Sequence, residues 1–257
     1  MTEGQGGDVL RAPVPSVPMG DGVLIPQFGV GTYKVTDSDA ERIVAEALEV
    51  GYRHIDTAAM YGNEEGVGRA IRASGLPRDE LFVTTKVWND DHGRDRARDA
   101  IRRSLDRLGL PAVDLLLIHW PAAERGLYVE TWEALAAARD AGLSRSIGVS
   151  NFLVPHLEAL ATAGLPAPAV DQIELHPRHQ QRATTAYLAE HGIAVEAWSP
   201  LARGAVVRPS CATPPAPTAA RTRRSCSAGT CSAARSSSRR PRGASGWSRT
   251  RTSSTSR

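Results

Sequence analysis

Four side chains that can hold or pass a proton stand at matching places in this chain of 257 residues. Asp56 closes the short apolar step RHID, and Tyr61 follows five residues later within GYRHIDTAAMYGNEEGVG, residues 51–68. Lys86 closes LFVTTK, and His119 closes VDLLLIH. The spacing sets a carboxylate at a strand end, a phenol on the loop after it, and an ammonium and an imidazole at the ends of two later strands. Taken singly, Tyr61 reads as a packed surface aromatic, Lys86 as a solvated strand end and His119 as a satisfied core histidine. Together, at one topological position, they read as the acid–base groups of an enzyme.

The elements that must carry them alternate along the chain. FGVGTY precedes a helical pattern over 37–50, RHID one over 64–74 and LFVTTK one over 95–108. VDLLLIH, SRSIGVS and AVDQIELH precede further helical patterns over 128–141, 155–162 and 180–191, and IAVEAWS closes the series. Seven strands with six helices between them imply a parallel sheet. Asp37 is the expected N-cap of the first helix and Gly51 its stop. A doubly wound sheet needs GxGxxG after its first strand, and FGVGTYKV lacks it. Polar residues at the ends of successive strands fit an α/β fold of the (β/α)8 TIM barrel type that is truncated after strand 7. VPMGDGVLIP, turned by Gly20, Asp21 and Gly22, reads as a β-hairpin capping the closed end of that barrel.

Charge divides the chain. Residues 1–207 hold all 28 acidic residues and 20 of the 31 basic ones, a net −8, whereas residues 208–257 carry +11. The overall excess of +3 therefore describes neither part and is no nucleic-acid signature. Residues 208–257 contain no Leu, Ile, Val, Phe, Met, Tyr, Asp or Glu. Such a segment cannot offset an ordering cost of about 1–2 kcal/mol per residue, so a disordered tail is expected. A shift of reading frame accounts for it: the shifted codons of residues 225–257 admit an apolar helix, a strand and a further helix. The expected organisation is a flexible extension over 1–16, an incomplete barrel over 17–207 and the tail. All three cysteines lie in the tail, and no signal peptide or apolar run of membrane length occurs, so a cytoplasmic protein with no membrane partner is expected. His176 and His179 in HPRH offer two ligands without a nearby third, and no metal is expected.

Residues 17–207 resemble the aldo-keto reductases, in particular the bacterial 2,5-diketo-D-gluconate reductase-like branch. GYRHIDTAAMYGNEEGVGRAI, TTKVWNDDHG, DLLLIHWP, SIGVSNF, VDQIELHP and AWSPLARG carry the likeness, in family order. The resemblance implies NADPH-dependent reduction of an aldehyde or ketone by a monomer. Tyr61 would be the general acid, Lys86 the cation that favours its ionised form, Asp56 the anchor of Lys86, and His119 a neutral group orienting the carbonyl. The backbone at Gly31 and Thr32, with Asp56, Ser150 and Asn151, would contact the cofactor, and Gln172 would lie near the nicotinamide amide. Trp198 would face the nicotinamide, with Ser199 and Leu201 beginning the loop over the pyrophosphate. Tyr33, Trp88, His119 and Trp120 would line the mouth for a small carbonyl substrate. The family's basic loop for the adenosine 2'-phosphate is missing in frame, which assigns NADPH preference to the parent gene. A barrel left open after strand seven is expected to be poorly soluble and weakly active. The alternatives are a nicotinamide-binding regulatory module on the same fold, against which the four intact residues argue, and polyanion binding through the tail.

Overall fold

The computed structural model describes residues 14–204. The expected tail over 208–257, and all but the last residues of the expected extension over 1–16, lie outside them. β1 (Ser16–Pro18) and β2 (Leu24–Pro26) form the antiparallel hairpin, with Ser16 already paired to Pro26. The extension therefore gives way to structure one residue earlier than the sequence suggests.

Seven parallel strands follow: β3 (Gly29–Gly31), β4 (His54–Asp56), β5 (Phe82–Val87), β6 (Val113–Ile118), β7 (Ser144–Ser150), β8 (Val170–Glu174) and β9 (Ala194–Trp198). Between them run α1 (Asp37–Glu49), α2 (Glu64–Ala73), α3 (Arg94–Leu108), α4 (Tyr128–Asp140), α5 (Val154–Thr162) and α6 (Arg182–Glu190). Each strand pairs with the next in sequence, from β3 at one edge to β9 at the other. A doubly wound sheet reverses its order at a switch point; this one never does, as a barrel requires. Its curvature brings the non-adjacent strands β4 and β8 together, where Gln172 Nε2 donates to Asp56 Oδ2 at 2.8 Å.

Period-two alternation then sorts the side chains. Ile55, Val83, Leu116, Ile118, Ile147 and Val149 face the helices and share one core with Val44, Ile101, Leu135 and Leu157. The opposite set points into the barrel. Leu115, Leu117, Phe82 and Val170 pack there against Met19 and Ile25 of the hairpin. Gly20 N donates to Ala169 O at 2.8 Å, and Ser146 Oγ to Asp21 Oδ2 at 2.6 Å, so the hairpin is fastened as a plug at the amino ends of the strands. On β7 the inward residues Ser146, Gly148 and Ser150 are small. A Cβ at Gly148 would stand 2.7 Å from Val170 O, which explains glycine midway along a buried strand.

Helix α1 corrects one expectation. Its N-cap is Thr36, whose Oγ1 accepts from Asp39 N at 3.2 Å. Asp37 lies within the first turn, and its carboxylate is directed to α2 instead: Gly66 N donates to Oδ1 at 2.6 Å and Arg69 to Oδ2 at 3.0 Å. The cap position is one residue earlier because the better use of Asp37 is tertiary. Among the described residues no helix is long and apolar enough to cross a membrane.

Candidate active site

Asp56 ends β4 and Lys86 lies next to the end of β5, both on the inward face. Lys86 Nζ donates to Asp56 Oδ1 at 2.5 Å and to Thr57 O at 3.0 Å. The ammonium is almost wholly buried, and an unpaired charge there would be costly. With Gln172 donating to its other oxygen, Asp56 is held on both sides.

After β4 the chain turns through a 3-10 segment, Ala59–Tyr61, closed by Gly62 at φ +67°. Asn63 fixes this loop. Its Nδ2 donates to Thr32 O and Val35 O, both at 2.9 Å, while its Oδ1 accepts from Thr57 Oγ1 at 2.8 Å. Tyr61 is thereby held beside Tyr33, ring centroids 5.2 Å apart, and edge-on to His119 at 5.5 Å. Lys86 Nζ is 5.3 Å from the Tyr61 ring centroid. Trp88 also meets His119 edge-on, at 5.1 Å. All four residues singled out by their spacing therefore meet in one place.

Their electrostatics follow from burial and from Lys86. Burial pushes the His119 imidazole down, and Lys86 adds to the effect, bringing it to about 3. It is neutral near pH 7, as expected, and its Nδ1 is buried without a partner among the described residues. For Lys86, burial lowers the ammonium's pKa, but Asp56 and Tyr61 outweigh it and hold the group above its ordinary value. Tyr61 behaves differently from the expectation. Lys86 does pull the phenol down, but burial pushes it up by more, so Tyr61 remains a protonated phenol above the ordinary range.

A cavity of about 420 Å³ opens over Asp56, Tyr61 and His119 and runs from the carboxyl ends of the strands down past His54 and Val170 to Val17 and Ile25 of the hairpin. Gly31, Tyr33, Asp56, Tyr61, His119 and Trp120 line it on one side, and Ser150, Asn151, Gln172, Trp198 and Ser199 on the other. Trp198 Nε1 donates to Asn151 Oδ1 at 2.9 Å, and Asn151 Nδ2 donates to Ser150 Oγ at 3.0 Å and His119 O at 3.0 Å. Asn151 and Ser199 both take left-handed backbone, φ +63° and +50°, which turns the chain sharply at the strand ends. Three expected residues sit differently. Thr32 is buried beneath the cavity, its N and Oγ1 both donating to Asp56 O, so it braces the carboxylate-bearing strand. Trp88 reaches the site through His119, and Leu201 is 66% exposed outside the lining.

Spacing alone missed His54 and Glu196, two residues before Asp56 and Trp198 and so on the same inward faces. Period two was the available signal. His54, Asp56 and Glu196 form a cluster of potential metal ligands among the described residues, but the Lys86 ammonium bonded to Asp56 already supplies its positive charge.

His54 is fully buried, bonds Thr84 Oγ1 at 3.0 Å, and is pushed by burial to about 4. Both His54 and His119 thus bind fewer protons folded than unfolded between their folded values and about 6.5, so stability falls as pH drops through that window. Urea midpoints are expected to decline from pH 6.5 towards 4, and His54→Asn to flatten that acid limb; an unchanged limb would exclude His54 as its source.

A family model described as "Aldo/keto reductase family" matches residues 26–244. The methylglyoxal reductase DkgA of Yersinia pestis is 51% identical over 190 residues, 74% of this chain and 68% of that protein. The 2,5-diketo-D-gluconic acid reductase B of a Corynebacterium species is 48% identical over 190 residues, covering 74% and 69%. Among solved structures, a mutant of Gox0644 in complex with NADPH superposes with a TM-score of 0.73 at 42% identity, covering 76% of this chain and 71% of that one.

Proposed function

The chain belongs to the aldo/keto reductase family, and from that premise we propose that it reduces a small aldehyde or ketone to the alcohol, with NADPH as reductant and Tyr61 as proton donor. The observation that carries this reading is the contact set at the cavity floor: a protonated phenol, a buried ammonium fixed by Asp56, and a neutral imidazole edge-on to the phenol. The residues present fit the nicotinamide end of the cofactor. Gly31 has open space where a Cβ would stand, Trp198 offers a ring, and Ser150, Asn151 and Gln172 offer polar groups on the same lining. NADPH, when bound, supplies the hydride.

The chain's own residues supply the rest. Reduction leaves negative charge on the carbonyl oxygen, which must gain a proton. Tyr61 holds that proton, and Lys86 lowers the cost of the phenolate left behind. Asp56 and Thr57 O keep Lys86 charged and pointed, so the relay needs no rearrangement during the reaction. His119, neutral, serves as a hydrogen-bonding group that orients the carbonyl oxygen. Tyr33 and Trp120 provide aromatic walls suited to a small, mostly apolar substrate, and Trp88 backs His119.

The test is NADPH consumption by the purified 257-residue chain, with methylglyoxal and a panel of other aldehydes and ketones as acceptors. Carbonyl-dependent loss of NADPH absorbance, with the matching alcohol as product, is expected. NADPH binding without turnover on any acceptor would sink the reading in favour of a cofactor-binding module.

A further inference from the structure

Glu196 has no part in the relay described above, yet it faces it. On β9 it points into the barrel opposite β4, where its carboxylate, that of Asp56 and the His54 imidazole lie within 4.8 Å of one another. One Glu196 oxygen stands 4.0 Å from His54 Nε2, and the other is buried without a partner among the described residues. A carboxyl left half-unsatisfied two residues from Trp198 calls for an explanation.

We propose that Glu196 is a positioning residue for the relay: its charge, acting on Lys86, sets how strongly that ammonium favours ionisation of Tyr61. This rests on reading Tyr61 as the proton donor. Among the described residues, the groups that face Glu196 are few. β4 contributes His54 and Asp56, β5 contributes Lys86, β8 contributes the Gln172 amide directly opposite in register, and Arg203 lines the same cavity beyond β9. Asp171 belongs to the other face of β8, beside Phe152 N, and α6 packs on the outer side of β9 with Val195.

With Glu196 protonated, Lys86 and Asp56 balance one another. Ionised, Glu196 gives Lys86 a second carboxylate to answer, the ammonium's pull on the phenol is diluted, and Tyr61 keeps its proton more firmly. Burial first, then Asp56, raise the Glu196 carboxyl to about 7, so this charge changes in the neutral range. His54, held near 4, stays uncharged throughout that range.

Tyrosine carrying 13C at Cζ reports the effect without turnover, with Tyr61→Phe identifying the resonance. In the wild-type chain the Tyr61 signal is expected to show a small inflection near pH 7 before its main titration at alkaline pH. In Glu196→Gln the inflection should vanish and the main titration should move down by about half a unit to one unit. A wild-type signal flat through neutrality overturns the proposal, as does an inflection that persists in Glu196→Gln. If the Gln variant does not fold, the wild-type titration still decides. Because nothing is turned over, an inactive chain would count against the reductase reading and leave this result standing.

Discussion

Replacing Tyr61 by Phe is expected to slow carbonyl reduction by about 10²- to 10⁴-fold, the usual worth of a positioned general acid. Stability should change by less than about 1 kcal/mol, because the contacts that hold residue 61 are made by the ring, to Tyr33 at 5.2 Å and His119 at 5.5 Å, and Phe keeps both. NADPH affinity should also persist, since the candidate cofactor contacts Ser150, Asn151, Gln172 and Trp198 lie on other strands. kcat and kcat/KM should therefore fall together, the signature of an interaction used only in the transition state. His119 is the rival donor, and its electrostatics argue against it. Held near 3, it carries no extra proton at neutral pH. The sign of the pH dependence separates the two. A Tyr61 donor loses rate at alkaline pH, where the phenol gives up its proton, and shows at most a small step near pH 7 as Glu196 changes charge, whereas a His119 donor would go on gaining rate as pH falls towards the folded value near 3. A variant that retains more than a tenth of wild-type kcat, or a rate that keeps rising as pH falls below about 6, beyond the Glu196 step, would remove Tyr61 from the role.

Much of this site was legible because strands write their faces into the sequence. LLLI, buried on both sides of β6, reads as a continuous apolar run, and polar residues at successive strand ends announce a shared functional edge. Closure of the sheet was less legible. Gln172 meets Asp56 across the barrel, and Glu196 meets His54, because seven strands curl, and no local pattern encodes a contact between residues more than a hundred positions apart. The same limit explains Tyr61. Its cationic neighbour could be guessed from order along the chain, but the competing burial depends on how Tyr33, His119 and the loop fixed by Asn63 pack around it. Thr32 is a third case: its N and Oγ1 brace Asp56 O from just beyond a neighbouring strand, a contact that no local pattern announces.

Lys86→Met should cost both chemistry and stability, and a second substitution can separate them. Removing one member of a buried ion pair strands the other, with a typical penalty of about 3–5 kcal/mol. Here Asp56 would keep only the Gln172 amide, at 2.8 Å, in place of an ammonium at 2.5 Å. A fall of that size in unfolding free energy at neutral pH is expected from urea titration, together with a rate loss comparable to that of Tyr61→Phe. Asp56→Asn combined with Lys86→Met leaves no charge on either partner. The double variant should recover a large part of the lost stability while its activity stays low, because the phenolate at Tyr61 still lacks its cation. The alkaline limb supplies a second check. Lys86 is held above its ordinary value, so its stabilising contribution is complete below about pH 10 and is lost as pH rises through the folded value; both variants should be missing that limb. If the double variant instead regained activity along with stability, Lys86 would be a fold element only, and the charge that makes Tyr61 an acid would have to come from elsewhere in the cavity.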